Sequence, residues 1–208
     1  MYERDNFGFF EDFDYFTTTE RFTSLAADAG TSVAVSDGVR GTLAMTTGAT
    51  DNNEAGVRTT TEIFLFANNK PLIFEARIQY TEANTDDANV SVGFANAVGA
   101  NLMVDDGAGM KTSYSGASIF KVDGGTVWRA HSSLSTTQTN TASLTTAGGA
   151  SYQVLRLELW PINSTDLEVA YFVDGIQLKD SNNKPIKHTI VYASATEMHA
   201  FVYVKAGG

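Results

Sequence analysis

The chain has 208 residues, a formal net charge of −10, no cysteine and only three prolines. A wide acidic surface repels phosphate, so nucleic acid is excluded as an expected partner. No apolar run approaches the roughly 20 residues of a membrane helix, and no disulfide framework is available to staple a small core.

A chain of this length buries about 70% of the surface its unfolded form exposes and needs no staples. Thr, Ser, Ala, Val and Asn are plentiful beside 18 glycines, a composition that favours strands and turns over helices.

The first sixteen residues, MYERDNFGFFEDFDYF, hold seven aromatic and five acidic side chains. They lack the basic leader and the uninterrupted apolar run of a secretion signal. Residues 1–20 read either as a first strand, with Phe9, Phe13 and Tyr15 filling the end of the protein's own core, or as an arm. In the arm reading Phe7, Phe9, Phe10 and Phe13 dock on a neighbour, since aromatic rings carry much contact area at low entropic cost. Residues 21–208 are expected to form a single sandwich domain.

Within that domain, FTSLAADAG (22–30) reads as a strand or one helical turn, and 31–38 and 39–48 as short strands around Asp37-Gly38. TDNNEAG (50–56) is an oxygen-rich loop, and VRTTTEIFLFA (57–67) one further strand. LIFEARIQY (72–80) alternates with period two: Phe74, Ala76, Ile78 and Tyr80 on one face, Glu75, Arg77 and Gln79 on the other. ANVSVGFANA (88–97) repeats the pattern with Val90, Val92 and Phe94. A second oxygen-rich loop, VDDGAG, occupies 104–109. GASIFKVDGGTVWRAHS (116–132) reads as strand, turn, strand. The Thr/Ser-rich 132–151 is expected as a long exposed loop or hairpin, and so a contact candidate. In YQVLRLELW (152–160), Leu155, Leu157 and Leu159 point in, while Arg156, Glu158 and Trp160 point out. LEVAYFVDGIQLKD (167–180) is a hairpin, because Asp174-Gly175 supplies the positive φ values of a tight turn. HAFVYVKA (199–206) is the last strand. Ten or more short strands and almost no helix predict an all-β, antiparallel two-sheet jelly-roll sandwich.

Signals for catalysis are thin. The outward acids Glu75, Glu158 and Glu168 lie on different strands and alternate with Arg77 and Arg156. That pattern suits a ladder of cross-strand ion pairs worth a few tenths of a kcal/mol each better than an acid pair across a cleft. There is no Gly-x-Ser-x-Gly elbow and no P-loop ending. His131, His188 and His199 are scattered and read as surface or strand residues. No enzyme, catalytic residue or cofactor is expected. The acids of the oxygen-rich loops, Asp51 with Glu54 and Asp105 with Asp106, fit a hard cation and equally fit turns; no metal is assigned. An open concave face with Arg77, Arg156, Glu158 and Trp160 is the candidate glycan site, with Trp160 or Tyr152 stacking on a sugar ring.

Taken in order, GATDNNEAG, NKPLIFEARIQY, ANVSVGFAN, LMVDDGAG, IFKVDGGTVW, YQVLRLELW and YFVDGIQL resemble the concanavalin A-like (laminin-G-like) jelly-roll proteins of tailed-bacteriophage structural modules. The resemblance runs from about residue 10 to the end. It implies a capsid decoration (cement) protein that bridges subunits of the major capsid protein on the virion's capsid surface, assembled in the host cytoplasm. A homotrimer would match the three-fold sites of such a lattice. The sequence departs from the glucanase branch of this superfold by lacking a Glu-x-Asp-x-x-Glu run, and it has no recognisable legume-lectin metal site. The alternative function is a lectin-like module on a tail or fibre that recognises host surface glycans.

Overall fold

A computed structural model describes residues 8–38, 41–66, 71–191 and 196–207. These residues form seventeen strands and no helix, and every pairing between strands is antiparallel.

The larger sheet runs in the order β1 (Phe22–Ser24), β4 (Glu54–Thr59), β17 (Thr196–Lys205), β7 (Asn89–Ala95), β10 (Gly116–Lys121), β11 (Val127–Leu134), β12 (Thr137–Thr146), with β5 (Phe64–Phe66) also paired to β17. The smaller sheet runs β15 (Ile176–Gln177), β14 (Asp166–Val173), β13 (Gln153–Pro161), β6 (Leu72–Ile78), with β16 (Lys187–Val191) on β14. Two separate hairpins complete the set: β2 (Ser32–Ser36) with β3 (Thr42–Thr46), and β8 (Met103–Val104) with β9 (Gly109–Met110).

Period-two alternation builds the core between the sheets. Val90, Val92 and Phe94 of β7 and Ile119 and Trp128 of β10 and β11 meet Leu155, Leu157 and Leu159 of β13 and Val169 and Tyr171 of β14. A second cluster lies on the opposite face of the larger sheet. There Leu102, Met103, Met110 and Tyr114, carried by the β8–β9 segment, pack on Ala95, Phe120, Phe201 and Tyr203. As a result β7 and β10 are buried along their whole length. The smaller sheet is covered on one face and alternates buried and accessible residues along β13 and β16.

Gly93 sits in β7 between Phe201 and Ser118, where the β10 backbone comes too close for a side chain. Its φ is +152°, and a Cβ there would stand 2.2 Å from the Ala117 carbonyl oxygen. The expected turn at Asp174-Gly175 is present, with φ of 50° and 77°, and joins β14 to β15 with Val173 opposite Ile176.

Two expectations change, and two open alternatives are resolved. The single strand at 57–67 is two, β4 and β5, and β4 begins at Glu54 inside the oxygen-rich loop. Of the loop or hairpin expected in the Thr/Ser-rich stretch, the hairpin forms: β12 turns back on β11 through Ser135 at φ 57°. Strands β8, β9 and β16 appear where none was expected. The stretch at 22–30, open between strand and helix, contributes the short strand β1.

Candidate functional site

The uncovered face of the smaller sheet gathers the charged and aromatic residues of β6, β13, β14 and β16. Register fixes their neighbours. Arg156 stands opposite Glu75 on one side and Phe172 on the other. Glu158 stands opposite Ile73 and Ala170, and Trp160 opposite Glu168. Because side chains alternate along a strand, Arg156, Glu158 and Trp160 form one row on this face.

The row is held by its own contacts. Arg156 Nη2 lies 2.5 Å from Glu158 Oε1 and its Nη1 3.8 Å from Glu75 Oε2. Trp160 Nε1 donates to Glu158 Oε2 at 3.2 Å, which fixes the indole plane while 46% of the residue stays exposed. At the other end of the strand the Arg77 guanidinium lies over the Tyr152 ring, 3.6 Å from its centroid, a cation–π contact. Lys187 on β16 pairs with Glu168 at 2.7 Å, and Ile73 and Val191 add exposed apolar surface. The cations Arg77, Arg156 and Lys187 are interleaved with the acids Glu75, Glu158 and Glu168 on a molecule of net charge −10.

All four residues expected to contact a glycan, Arg77, Arg156, Glu158 and Trp160, are therefore on one solvent-facing sheet surface. Two contributors were not anticipated. Lys187 and Val191 belong to β16, whose sequence KHTIV does alternate, but with His188 at an inward position where an apolar residue would have given the signal.

The residues proposed as an arm divide. Phe9 and Phe13 turn onto the chain itself, their rings 5.6 and 5.5 Å from that of Phe22, with Phe16 at 6.5 Å. Arg21 pairs with Glu11 at 3.3 Å. Phe10 is 82% exposed, and Tyr15 faces solvent rather than filling the core. Phe7 lies outside the described residues. Glu11, Asp12 and Asp14 bring carboxylate oxygens within 4.8 Å of one another, an exposed group of a kind common without an ion.

The histidines are strand residues but are buried, not on the surface. His188 sits between the sheets, where its Nδ1 meets the Ser132 hydroxyl at 3.1 Å and the Tyr171 hydroxyl at 2.9 Å, and its Nε2 meets Thr141 Oγ1 at 3.0 Å. A serine beside a histidine suggests nucleophilic chemistry, but Ser132 and His188 are 3% and 4% exposed. Burial pushes the His188 pKa down to about 4, which holds the ring neutral inside a hydrogen-bonded core network. The two oxygen-rich loops do meet: Asn52 Nδ2 donates to Asp106 Oδ1 at 3.2 Å, and the Asp106 N–H to Asn52 Oδ1 at 3.3 Å.

No family model matches the sequence, and no curated protein matches it significantly. Solved structures do resemble it. The carbohydrate recognition domain of Emp46p, in its potassium-bound form, is 11% identical with a TM-score of 0.61, over 90% of this chain and 82% of that one. The carbohydrate recognition domain of Emp47p is 11% identical with a TM-score of 0.59, over 94% and 84%. A carbohydrate-binding module from Bacillus subtilis, CBM66, is a looser likeness at 8% identity and TM-score 0.48, over 93% and 97%. At such identities the likeness concerns the fold: an all-β, antiparallel, concanavalin A-like jelly roll.

Proposed function

We propose that this chain is a lectin-like carbohydrate-binding module whose ligand lies along β13 on the open face of the smaller sheet. The observation that carries the reading is Trp160, half exposed and fixed by Glu158, in one row with the Arg156–Glu158 pair. A fixed indole offers its plane to the apolar face of a sugar ring, and carboxylate and guanidinium groups beside it bond the ring hydroxyls. The carbohydrate recognition domains of Emp46p and Emp47p, which share the fold, support the class of ligand. Glu75 and Glu158 both face the Arg156 guanidinium, so they serve binding in this reading and not proton transfer. A glycan array that includes bacterial surface polysaccharides is expected to return at least one hit. Trp160→Ala should then weaken that hit at least tenfold, about 1.4 kcal/mol, with an unchanged melting temperature. A blank array, or full affinity in the variant, overturns the reading.

A second reading, capsid decoration, draws on Phe10 together with the resemblance to phage structural jelly rolls. With Phe9 and Phe13 turned onto Phe22, Phe10 is, among the described residues of the expected arm, the ring left to meet a major capsid subunit. Phe10→Ser should abolish co-sedimentation with capsid shells without lowering the melting temperature. Undiminished co-sedimentation counts against the arm.

A further inference from the structure

Away from the sheet face, an ammonium group is enclosed in the fold. Lys205, on strand β17 inside the larger sheet, is 0% exposed, and its Nζ is surrounded by four oxygens from two segments, the start of β4 and residues 101–105. Asn101 Oδ1 lies at 2.9 Å and the Met103 carbonyl at 3.2 Å. Glu54 Oε2 lies at 3.8 Å, at the start of β4, and Asp105 Oδ1 completes the set just after β8.

Glu54 is itself fixed. Both its carboxylate oxygens accept from the Asn101 N–H, at 3.1 and 2.9 Å, and the Tyr203 hydroxyl donates to Oε2. An ammonium has three protons to give, and Asn101 Oδ1, the Met103 carbonyl and Asp105 Oδ1 accept them, while the Glu54 carboxylate stands farther off as a second counter-charge. Two carboxylates face one ammonium, so the enclosure keeps a formal net charge of −1 with the lysine in place. Two carboxylates, an amide oxygen and a backbone carbonyl are the donor set of a hard cation. The Asp105 carboxylate is 56% exposed, which leaves an entrance and room for water ligands.

We infer that Glu54, Asn101, Met103 and Asp105 form a cation site that the chain fills with its own Lys205 ammonium, and that the site takes Ca2+ once the lysine is removed. Calcium suits it better than magnesium, because Ca2+ accepts irregular sets of six to eight oxygens while Mg2+ demands a near-ideal octahedron. The oxygens would close in from hydrogen-bonding distance to about 2.3–2.6 Å. A tethered cation cannot dissociate, so the junction of the 50–54 and 101–106 loops is independent of ion supply. This inference does not depend on glycan binding.

The experiment is thermal melting of the wild type and Lys205→Ala, each in EDTA, in Ca2+ and in Mg2+. The wild type should melt at one temperature in all three. Lys205→Ala should melt lower in EDTA and recover by about 5–10 °C with Ca2+ at a hundredfold excess over Kd. Adding Glu54→Gln to that variant should abolish the recovery. A wild type stabilised by Ca2+, or a Lys205→Ala variant indifferent to it, overturns the inference. Should Lys205→Ala be insoluble in EDTA, solubility restored by Ca2+ supports the site, and insolubility under both conditions overturns it.

Discussion

His131 has no hydrogen-bond partner for either ring nitrogen among the described residues, although only 2% of it is exposed. Its ring stacks on Tyr114, 5.7 Å between centroids and 10° between planes, and meets the edge of Phe120 at 5.7 Å. Burial first, and the neighbouring His188 second, push its pKa down to about 4; burial does the same to His188. In the unfolded chain both titrate near 6.5. Between these values the unfolded chain binds protons that the folded one refuses. The stability these rings contribute is therefore complete above pH 6.5 and is lost as pH falls toward 4, by about 3 kcal/mol for each ring. Melting temperatures measured from pH 8 to pH 4 should show that loss. His131→Phe should keep full stability at pH 8, since an unpartnered polar ring is exchanged for an apolar one, and should flatten about half of the histidine-linked fall. A variant as steep as the wild type would show that His131 does not titrate in this window.

At the scale of elements, the informative pair is β7 with β10, strands buried on both faces. Alternation in ANVSVGFANA identified Val90, Val92 and Phe94 as one inward face and left Ser91, Gly93 and Ala95 to solvent by implication. The second cluster covers that other face, and nothing in the local pattern announces it. The covering residues Leu102, Met103 and Met110 lie in a Gly- and Asp-rich stretch with two-residue strands, too short to show a period. Gly93 tests how closely β7 and β10 approach each other. Gly93→Ala adds a Cβ against the Ala117 carbonyl in a backbone conformation that disfavours side chains, and should cost about 3 kcal/mol or more. A melting temperature within a degree of wild type would mean that β7 and β10 are not held so closely. By contrast, β6 and β13 were legible strand by strand, because one face packs and the other does not. That clean alternation also made the candidate site legible: Arg77, Arg156, Glu158 and Trp160 are the outward residues of two neighbouring strands.

For the whole molecule, charge and sequence distance matter more than local pattern. Lys205 reaches oxygens about 100 to 150 positions earlier in the chain, and β17 closes the larger sheet by lying between β4 and β7. Buried Lys121 works similarly, donating to Glu82 Oε1 at 2.8 Å and to the carbonyls of Asp86 and Ala88 at 2.8 and 3.0 Å. In the sequence both lysines sit at strand ends and resemble solvated charges, and the oxygen-rich loops resemble turns. Only the tertiary structure puts lysine and loops together, because burying an ammonium is tolerable only where several oxygens converge on it. The sequence by itself determined the class of fold, since period-two alternation, an Asp-Gly turn and scarce helix formers are local properties that act wherever the chain goes. It also determined which side chains of β6 and β13 face outward, through the same two-residue period. Strand order, the second apolar cluster, the burial of the histidines and the enclosure of Lys205 were decided by the tertiary structure, because each depends on which distant segments come into contact, and local periodicity carries no record of that.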